Sequence, residues 1–510
     1  MYAIILGVTL CVALWFLQGQ QSAIRRHGQR LPRPPGTLPL AGNGIWFLQP
    51  RHKLLDWFVK CERMVGFSTY EISVPSLPPG IVINDPQNVE HVLKNNDIFI
   101  KGEFVRARSW DLFGNGIINA DGDLWKIQRK AGLRFFSTPN LKTLIDVVLP
   151  PLVADTEKRL DAAAENAMVV DLQSVFLELT TRLMGNMAYN MDMPASLPFS
   201  KAFDFASGAI GERFQNPFYK LKEFLFGAPL RNSIHEVKTF GSCIVSAAVQ
   251  KRKEHTDSGS ADPLPNNLIN SLLDNIEDRS VVADAAMNYL SAGRDTTAQS
   301  LTWTLYLLMR HPSVQYLIIS ELRNTLATAS HSLHLSFECV HSSVLPYTSA
   351  VFNEVLRLYP PVPIEIKECT TATTFPDGTW LPKGAVVMWA TWALGRSKKI
   401  WGDDADDFRP ERWLVSGEGG GSALKSVSSY EYPVFNAGPR LCVGKKMAEL
   451  LAVYVITNLV WKYEFEECFG KSSNAERRPV ERKSQNSLTL PMEGGLPCYV
   501  RRRGEGSVEL

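Results

Sequence analysis

The chain carries almost no net charge. Lysine and arginine total 54 and aspartate and glutamate 52, a formal +2 over 510 residues, so the basic footprint of a nucleic-acid binder is missing. Cysteine is sparse: Cys11, Cys61, Cys243, Cys339, Cys369, Cys442, Cys468 and Cys498 are scattered with no Cys-x-x-Cys pair. That excludes a disulfide framework and points to a reducing compartment. No glycine-rich dinucleotide-binding βαβ unit and no flavin domain are evident. No long Ser/Pro/Gly linker divides the chain either. A prior of roughly 150 residues per domain would suggest three domains, but the segments that build one site lie hundreds of residues apart. One large helical domain fits better, and an apolar content of 45% is ample for its core.

Long uncharged runs are also rare, and one stands at the N-terminus. Tyr2 to Leu17 carries no charge, and Arg25, Arg26, Arg30 and Arg33 follow it. At 1.5 Å per residue the run is about 24 Å long, extendable to Gln20. Positive charge after the apolar run, not before it, argues against a cleaved signal peptide and keeps the bulk of the chain in the cytosol. The expectation is a single-pass membrane anchor over 1–20, in the endoplasmic reticulum. A basic, proline-rich hinge follows over 21–36, containing Leu31-Pro32-Arg33-Pro34-Pro35-Gly36, and the main domain spans 37–510.

Strands are expected at Ser68–Val74 and Gly80–Asn84, and a short helix over Pro86–Asn95. Helical patterning then runs to about residue 330, with a polar surface loop at Lys251–Asn267 and a long helix over Val281–His311 that Pro312 ends. Strand signals return at Thr371–Thr379, Ala385–Ala390 and Ser487–Arg501, while Gly417–Ser429 reads as a flexible insertion. The fold class is mainly α (α+β), helical mass with small sheets to one side.

The chemistry is carried by Phe435-Asn436-Ala437-Gly438-Pro439-Arg440-Leu441-Cys442-Val443-Gly444. This glycine-punctuated loop presents one cysteine and runs into the apolar stretch Met447–Trp461. A thiolate at a helix N-terminus gains from the macrodipole, which lowers its pKa. Gly438 and Gly444 permit tight turning and close approach of a flat cofactor. Arg440 can fork a carboxylate. The pattern Phe-x-x-Gly-x-Arg-x-Cys-x-Gly resembles the haem-thiolate loop of the cytochrome P-450 superfamily, with every fixed position occupied. The resemblance covers about residues 30–505. It implies haem b with Cys442 as the axial iron ligand, O2 as oxidant, and electrons from a separate NADPH-dependent flavoprotein reductase.

Three further motifs agree. Ala292-Gly293-Arg294-Asp295-Thr296-Thr297 offers a small-residue face, Ala292 and Gly293, one turn before a carboxylate and a hydroxyl. It is similar to the family's oxygen-activation helix, in which Thr296 would organise protons and Asp295 would link the site to solvent. Glu354 and Arg357 stand at i and i+3 among apolar neighbours, and Arg412 in Phe408-Arg409-Pro410-Glu411-Arg412-Trp413 is a third partner for that buried pair. Trp413 replaces the family's usual phenylalanine, and the three charged residues would lock the support of the cysteine loop. Trp125 and Arg129 resemble the pair that clamps a haem propionate. Lys126, Lys130 and Arg134, with Lys445-Lys446, form basic clusters on the thiolate side where an acidic flavoprotein could dock.

Phe199, Phe203, Phe205, Phe214, Phe218, Phe224 and Phe226 crowd the segment that roofs the pocket in the family, which fits an apolar substrate. Ala292–Ala298, with Ala393-Leu394-Gly395-Arg396 and Trp401-Gly402, is similar to the plant and fungal fatty-acid and alkane ω-hydroxylases. That implies hydroxylation of a long aliphatic chain near its end, with Lys101, Arg106 or Arg108 as candidates to hold a fatty carboxylate. A tailoring oxidase of a hydrophobic secondary metabolite is the runner-up. A haem-thiolate isomerase or dehydratase would often lack the intact acid–alcohol pair, and a non-catalytic haem sensor would not need it. A monomer is expected. His331, His334, Cys339 and His341 lack a second paired motif for zinc, and Asp403, Asp404, Asp406 and Asp407 lack the closing residues of a calcium loop; both groups read as solvated surface.

Overall fold

In the computed structural model the described residues are all except 22, 40, 75–76, 195, 259–266, 329–334, 418–420, 469–480 and 505–510; for 15–21, 255–258 and 328 only the backbone is described. Helices dominate, and the longest, Arg279–Arg310, has 32 residues. Asp278 starts it by accepting from the Ser280 amide at 2.8 Å, as an N-cap carboxylate should, and Pro312 begins the next helix. Most of its side chains are buried, so it runs through the core with apolar neighbours on every side. Leu172–Tyr189, Ala228–Ser258, Pro346–Leu358 and Lys445–Lys462 pack against it. Leu268–Asn275 forms a further short helix.

The largest sheet has five strands in the order Tyr70–Ile72, Gly80–Val82, Val386–Trp389, Glu365–Cys369 and Phe99–Ile100. Gly80–Val82 runs parallel to Val386–Trp389, with Ile81 opposite Val387, and the other pairings are antiparallel. The sheet sits beside the helical body and carries two cavity-facing elements described below. The strand expected at Ser487–Arg501 narrows to Pro497–Arg502, which pairs with Tyr463–Glu467.

Two expectations are corrected. The helix Ala228–Ser258 continues through the first part of the expected 251–267 loop. Gly417–Ser429 contains strand Ser422–Leu424, paired with Leu414–Ser416, instead of a featureless insertion. A helix does cover Tyr2–Gln21, but among the described residues no helix is long and apolar enough to cross a membrane. Within the 21–36 segment, Arg25–Arg26 pairs with Thr379 and Trp380, Arg26 bonds Asp377 at 2.9 Å, and Ile24 and Leu31 are buried. His331 and His334 lie outside the described residues, and no group of three metal-binding side chains occurs among those described.

Candidate active site: a cysteine-floored cavity

The cysteine loop is shaped by its backbone. Asn436 and Gly438 both have positive φ, 57° and 59°, a region that asparagine tolerates and glycine enters freely. A Cβ on Gly438 would lie 2.5 Å from the Leu93 carbonyl oxygen, so only glycine fits there. The Cys442 amide donates to the Phe435 carbonyl at 2.8 Å, closing the loop. Gly444 is different: it has φ −90°, and a Cβ there would make ordinary contact with the Phe136 ring at 3.6 Å. Packing of the protein's own atoms at the head of the helix Lys445–Lys462 leaves room for a Cβ there.

Cys442 has an accessible side chain yet sits deep in protein. The accessible surface belongs to the wall of an internal cavity of about 440 Å³. Burial pushes the Cys442 thiol above its ordinary pKa, against hydrogen bonds from the Gly444 and Lys445 amides and the charge of Arg129. In the protein alone burial outweighs those amide bonds and that charge. A bound metal ion would reverse the balance, because a coordinating thiol is deprotonated outright.

Ala292 confirms where the cavity lies along the long helix. It is exposed in the middle of an otherwise buried helix, and Ala292, Asp295 and Thr296 all line the cavity with Cys442. Gly293 does not. A Cβ there would meet the Met184 sulfur at 2.5 Å, so Gly293 serves the packing of Leu172–Tyr189, because successive residues on a helix point about 100° apart. The Thr296 hydroxyl donates to the Ala292 carbonyl at 2.6 Å. Asp295 is paired with Arg294 at 2.5 Å, and Arg294 also holds Asp204, which is 45% exposed, at 2.7 Å. Burial, opposed by Arg294 and assisted by Asp204, raises Asp295 to about 6.

At the rim the Trp125 ring is flanked by two guanidinium groups, Arg440 at 4.1 Å and Arg129 at 5.5 Å from its centroid. Arg129 donates to the Leu441 carbonyl at 2.8 Å, and Arg440 to Ala120 and Asp121 at 3.0 and 2.5 Å. The Arg440 Nε is buried with no partner. Lys101 pairs with Glu365 at 3.2 Å, and Asn436 donates to the other Glu365 oxygen at 3.2 Å. Lys367 is buried beside them and is pulled down to about 7, by burial first and by Lys101 next. Three cations, Lys101, Arg129 and Arg440, and the partly protonated Lys367 thus share two carboxylates, Asp121 and Glu365. That surplus, together with the orphaned Nε, fits a group bearing two carboxylates, as haem does. Sequence reasoning missed Lys367 and Glu365; their alternation in strand Glu365–Cys369 was the available signal.

Glu354, Arg357 and Arg412 lie outside the cavity wall and close beneath it. Glu354 and Arg357 are fully buried and joined by two bonds of 2.7 Å. Arg412 Nε donates to Glu354 at 2.9 Å. The Trp413 indole N–H donates to the second Glu354 oxygen at 2.8 Å, a bond that phenylalanine in this position could not make. Arg357 finds further acceptors at the Gly395, Ala405 and Asp407 carbonyls, so the buried charges are satisfied.

A family model described as Cytochrome P450 matches residues 32–490. The chain belongs to the cytochrome P450 family. Cytochrome P450 94B1 of Arabidopsis thaliana is 32% identical over 488 residues, covering 92% of each chain. Cytochrome P450 94A1 of Vicia sativa is 29% identical, covering 92% of this chain and 90% of the relative. Noroxomaritidine synthase of Narcissus aff. pseudonarcissus is 32% identical over 82% of each chain. As a cytochrome P450 monooxygenase the chain uses haem with thiolate ligation, O2 and NADPH-derived electrons delivered by a reductase, and it takes a hydrophobic substrate.

Proposed function

We propose that this cytochrome P450 hydroxylates a long aliphatic chain at or near its end. The observation that carries the reading is the cavity itself. Its wall is mostly hydrocarbon, with Phe113, Phe203, Phe214, Leu356, Ile364 and Leu488 sharing it with Cys442 and Thr296. An extended apolar chain gains about 0.8 kcal/mol for each methylene buried in such a space. Of the seven phenylalanines read as a roof, only Phe203 and Phe214 line the cavity; Phe199 stacks on Phe240, and Phe205, Phe218, Phe224 and Phe226 are exposed.

Cys442 would hold the haem iron through its sulfur, and Trp125, Arg129, Arg440, Lys101 and Lys367 would hold the haem carboxylates. Bound haem supplies the activation of dioxygen, and its thiolate ligand favours O–O cleavage. The protein's part is to deliver protons and exclude water. The Thr296 hydroxyl gives its hydrogen to Ala292, leaving its oxygen lone pairs free to accept from a proton donor in the cavity. Asp295 is half-protonated near pH 6 and connects through Arg294 to Asp204 at the surface. Glu354, Arg357 and Arg412 brace the cysteine loop and take no part in bond-making.

The reductase is assigned to the basic face made by Lys126, Lys130, Arg134, Lys445 and Lys446. Arg129 on Leu441 and Gly444 against Phe136 support this, since they join the two basic elements. Residues 37–510 are assigned as one haem domain, acting as a monomer, with the apolar helix from Tyr2 as an anchor in the endoplasmic reticulum membrane. Exposed Tyr2, Ile4, Leu6, Val8 and Leu10 support the anchor. The name of the Narcissus relative supports the second reading, a tailoring oxidase of specialised metabolism. Incubation with reductase, NADPH, labelled O2 and a panel of fatty acids, alkanes and polyketide-like lipids separates the two. Labelled oxygen near the end of an aliphatic chain is expected; its appearance only on a polyketide-like substrate would overturn the aliphatic reading.

A further inference from the structure

The charged groups in the cavity wall are nearly all accounted for. Lys101 is held by Glu365, Arg129 by the Leu441 carbonyl, Arg440 by Asp121 and Asp295 by Arg294. Lys367 lies among the rim carboxylates. Two of the arginines that sequence reasoning offered for a fatty carboxylate are engaged elsewhere. Arg108 donates to the Arg213 and Phe104 carbonyls at 3.2 and 2.9 Å, and Arg106 lies over the Trp110 ring. Neither lines the cavity.

Arg51 lines it and has no ionic partner among the described residues. It is the first residue of the helix Arg51–Val65, whose opening turn holds no acidic side chain. Cations are disfavoured there by the helix dipole. Its Nε is buried without a partner, and the one side-chain hydrogen bond it makes among the described residues is long, 3.5 Å to the Asn486 side-chain oxygen. Asp56, further along the same helix, answers instead to Arg396, His52 and Lys483. Burial alone lowers the Arg51 pKa, to about 10, so the group stays charged at neutral pH. A guanidinium whose Nε is buried without a partner is costly to maintain, and no carboxylate among the described residues pairs with it. Arg51 and its neighbours Phe47 and Leu54 enter the cavity from elements that carry neither Cys442 nor Thr296.

We propose that Arg51 binds the carboxylate of a long-chain acid, which makes the charged end of the substrate the fixed end and leaves the methyl end for oxidation. This rests on the aliphatic-chain reading above. The guanidinium offers a two-pronged donor that matches a carboxylate, and Leu54 and Phe47 beside it receive the first methylenes.

The test compares dodecanoic acid, dodecanol and dodecylamine on the full-length, haem-loaded enzyme and on Arg51→Gln, Arg51→Lys and Arg51→Glu. Binding is followed by the change in the haem spectrum and turnover by NADPH-dependent product. The spectrum of the reduced, carbon-monoxide-bound form checks that each variant is folded. Arg51→Gln is expected to weaken the acid about 10- to 150-fold, the scale of a charge-assisted hydrogen bond, while the alcohol changes less than about twofold on the same scale. Arg51→Lys should recover part of the loss, and Arg51→Glu should favour the amine. Equal loss for acid and alcohol in Arg51→Gln, or no loss for either, overturns the assignment. So does wild type that prefers the alcohol to the acid, and in both cases the aliphatic reading stands. If wild type oxidises no chain at all, that reading falls and takes this one with it.

Discussion

Replacing Trp413 by phenylalanine removes one donor from the buried Glu354 and shrinks a fully enclosed side chain. Glu354 Oε2 receives Arg357 Nε at 2.7 Å and Trp413 Nε1 at 2.8 Å, so the variant leaves that oxygen one donor. The loss belongs at the low end for bonds to charged groups, about 1.5 kcal/mol. The smaller ring vacates roughly 40 Å³ in a site that is 2% exposed, which adds about 1 kcal/mol. A destabilisation of about 2.5 kcal/mol follows. Trp401→Phe is the comparison, since the Trp401 indole donates to a neutral carbonyl, that of Leu394, at 3.0 Å; it should cost about 1 kcal/mol. Denaturant unfolding followed by haem absorbance measures both. Haem retention should suffer more in Trp413→Phe, because Trp413 packs on Tyr432 with ring centres 4.8 Å apart, next to the start of the cysteine loop. A Trp413 variant within about 0.5 kcal/mol of wild type, or no worse than the Trp401 variant, would refute the argument.

Gly438→Ala should lose most of its haem, read as the ratio of haem to protein absorbance, because a Cβ would meet the Leu93 carbonyl oxygen at 2.5 Å in a left-handed backbone; full occupancy would show that the loop can relax. Thr296→Ala should uncouple NADPH oxidation from product by about a hundredfold, the lower end of the range for positioned proton donors, with haem content unchanged; unaltered coupling would remove Thr296 from the relay. Asp295 has a pKa raised to about 6, so the folded state holds this proton more firmly than the unfolded chain does. Its contribution to stability is therefore present at low pH and is lost as pH rises through about 6, and a rate limited by proton delivery falls over the same interval. Asp295→Asn should abolish that inflection in both profiles, and its persistence would assign it to another group.

Much of the site was legible in the residues because it is local. The cysteine loop needs Gly438 for a positive φ, Cys442 for its sulfur and Arg440 for its fork, all within a few positions. The same holds for Ala292, Asp295 and Thr296, brought to one helix face by a spacing of three and four. The surroundings of two motif glycines were set by packing that the sequence does not show. Gly293 and Gly444 sit in the right motifs, but helical rotation turns the first toward Met184 and the second faces Phe136. The thiol's balance is likewise set by more than its own turn: the dipole acts locally, whereas desolvation depends on everything packed around the sulfur.

The linear chain determined the loop, the long helix with its capping aspartate and terminating proline, and the mainly helical class, since each depends on neighbours within a turn or two. Tertiary structure alone decided the pairing of Lys101 with Glu365 across 264 residues, the burial of Lys367, the indole bond from Trp413 to Glu354, and the lone charge of Arg51. Which ions find partners depends on where distant segments meet, and the cost of an unmet charge exists only once water has been excluded.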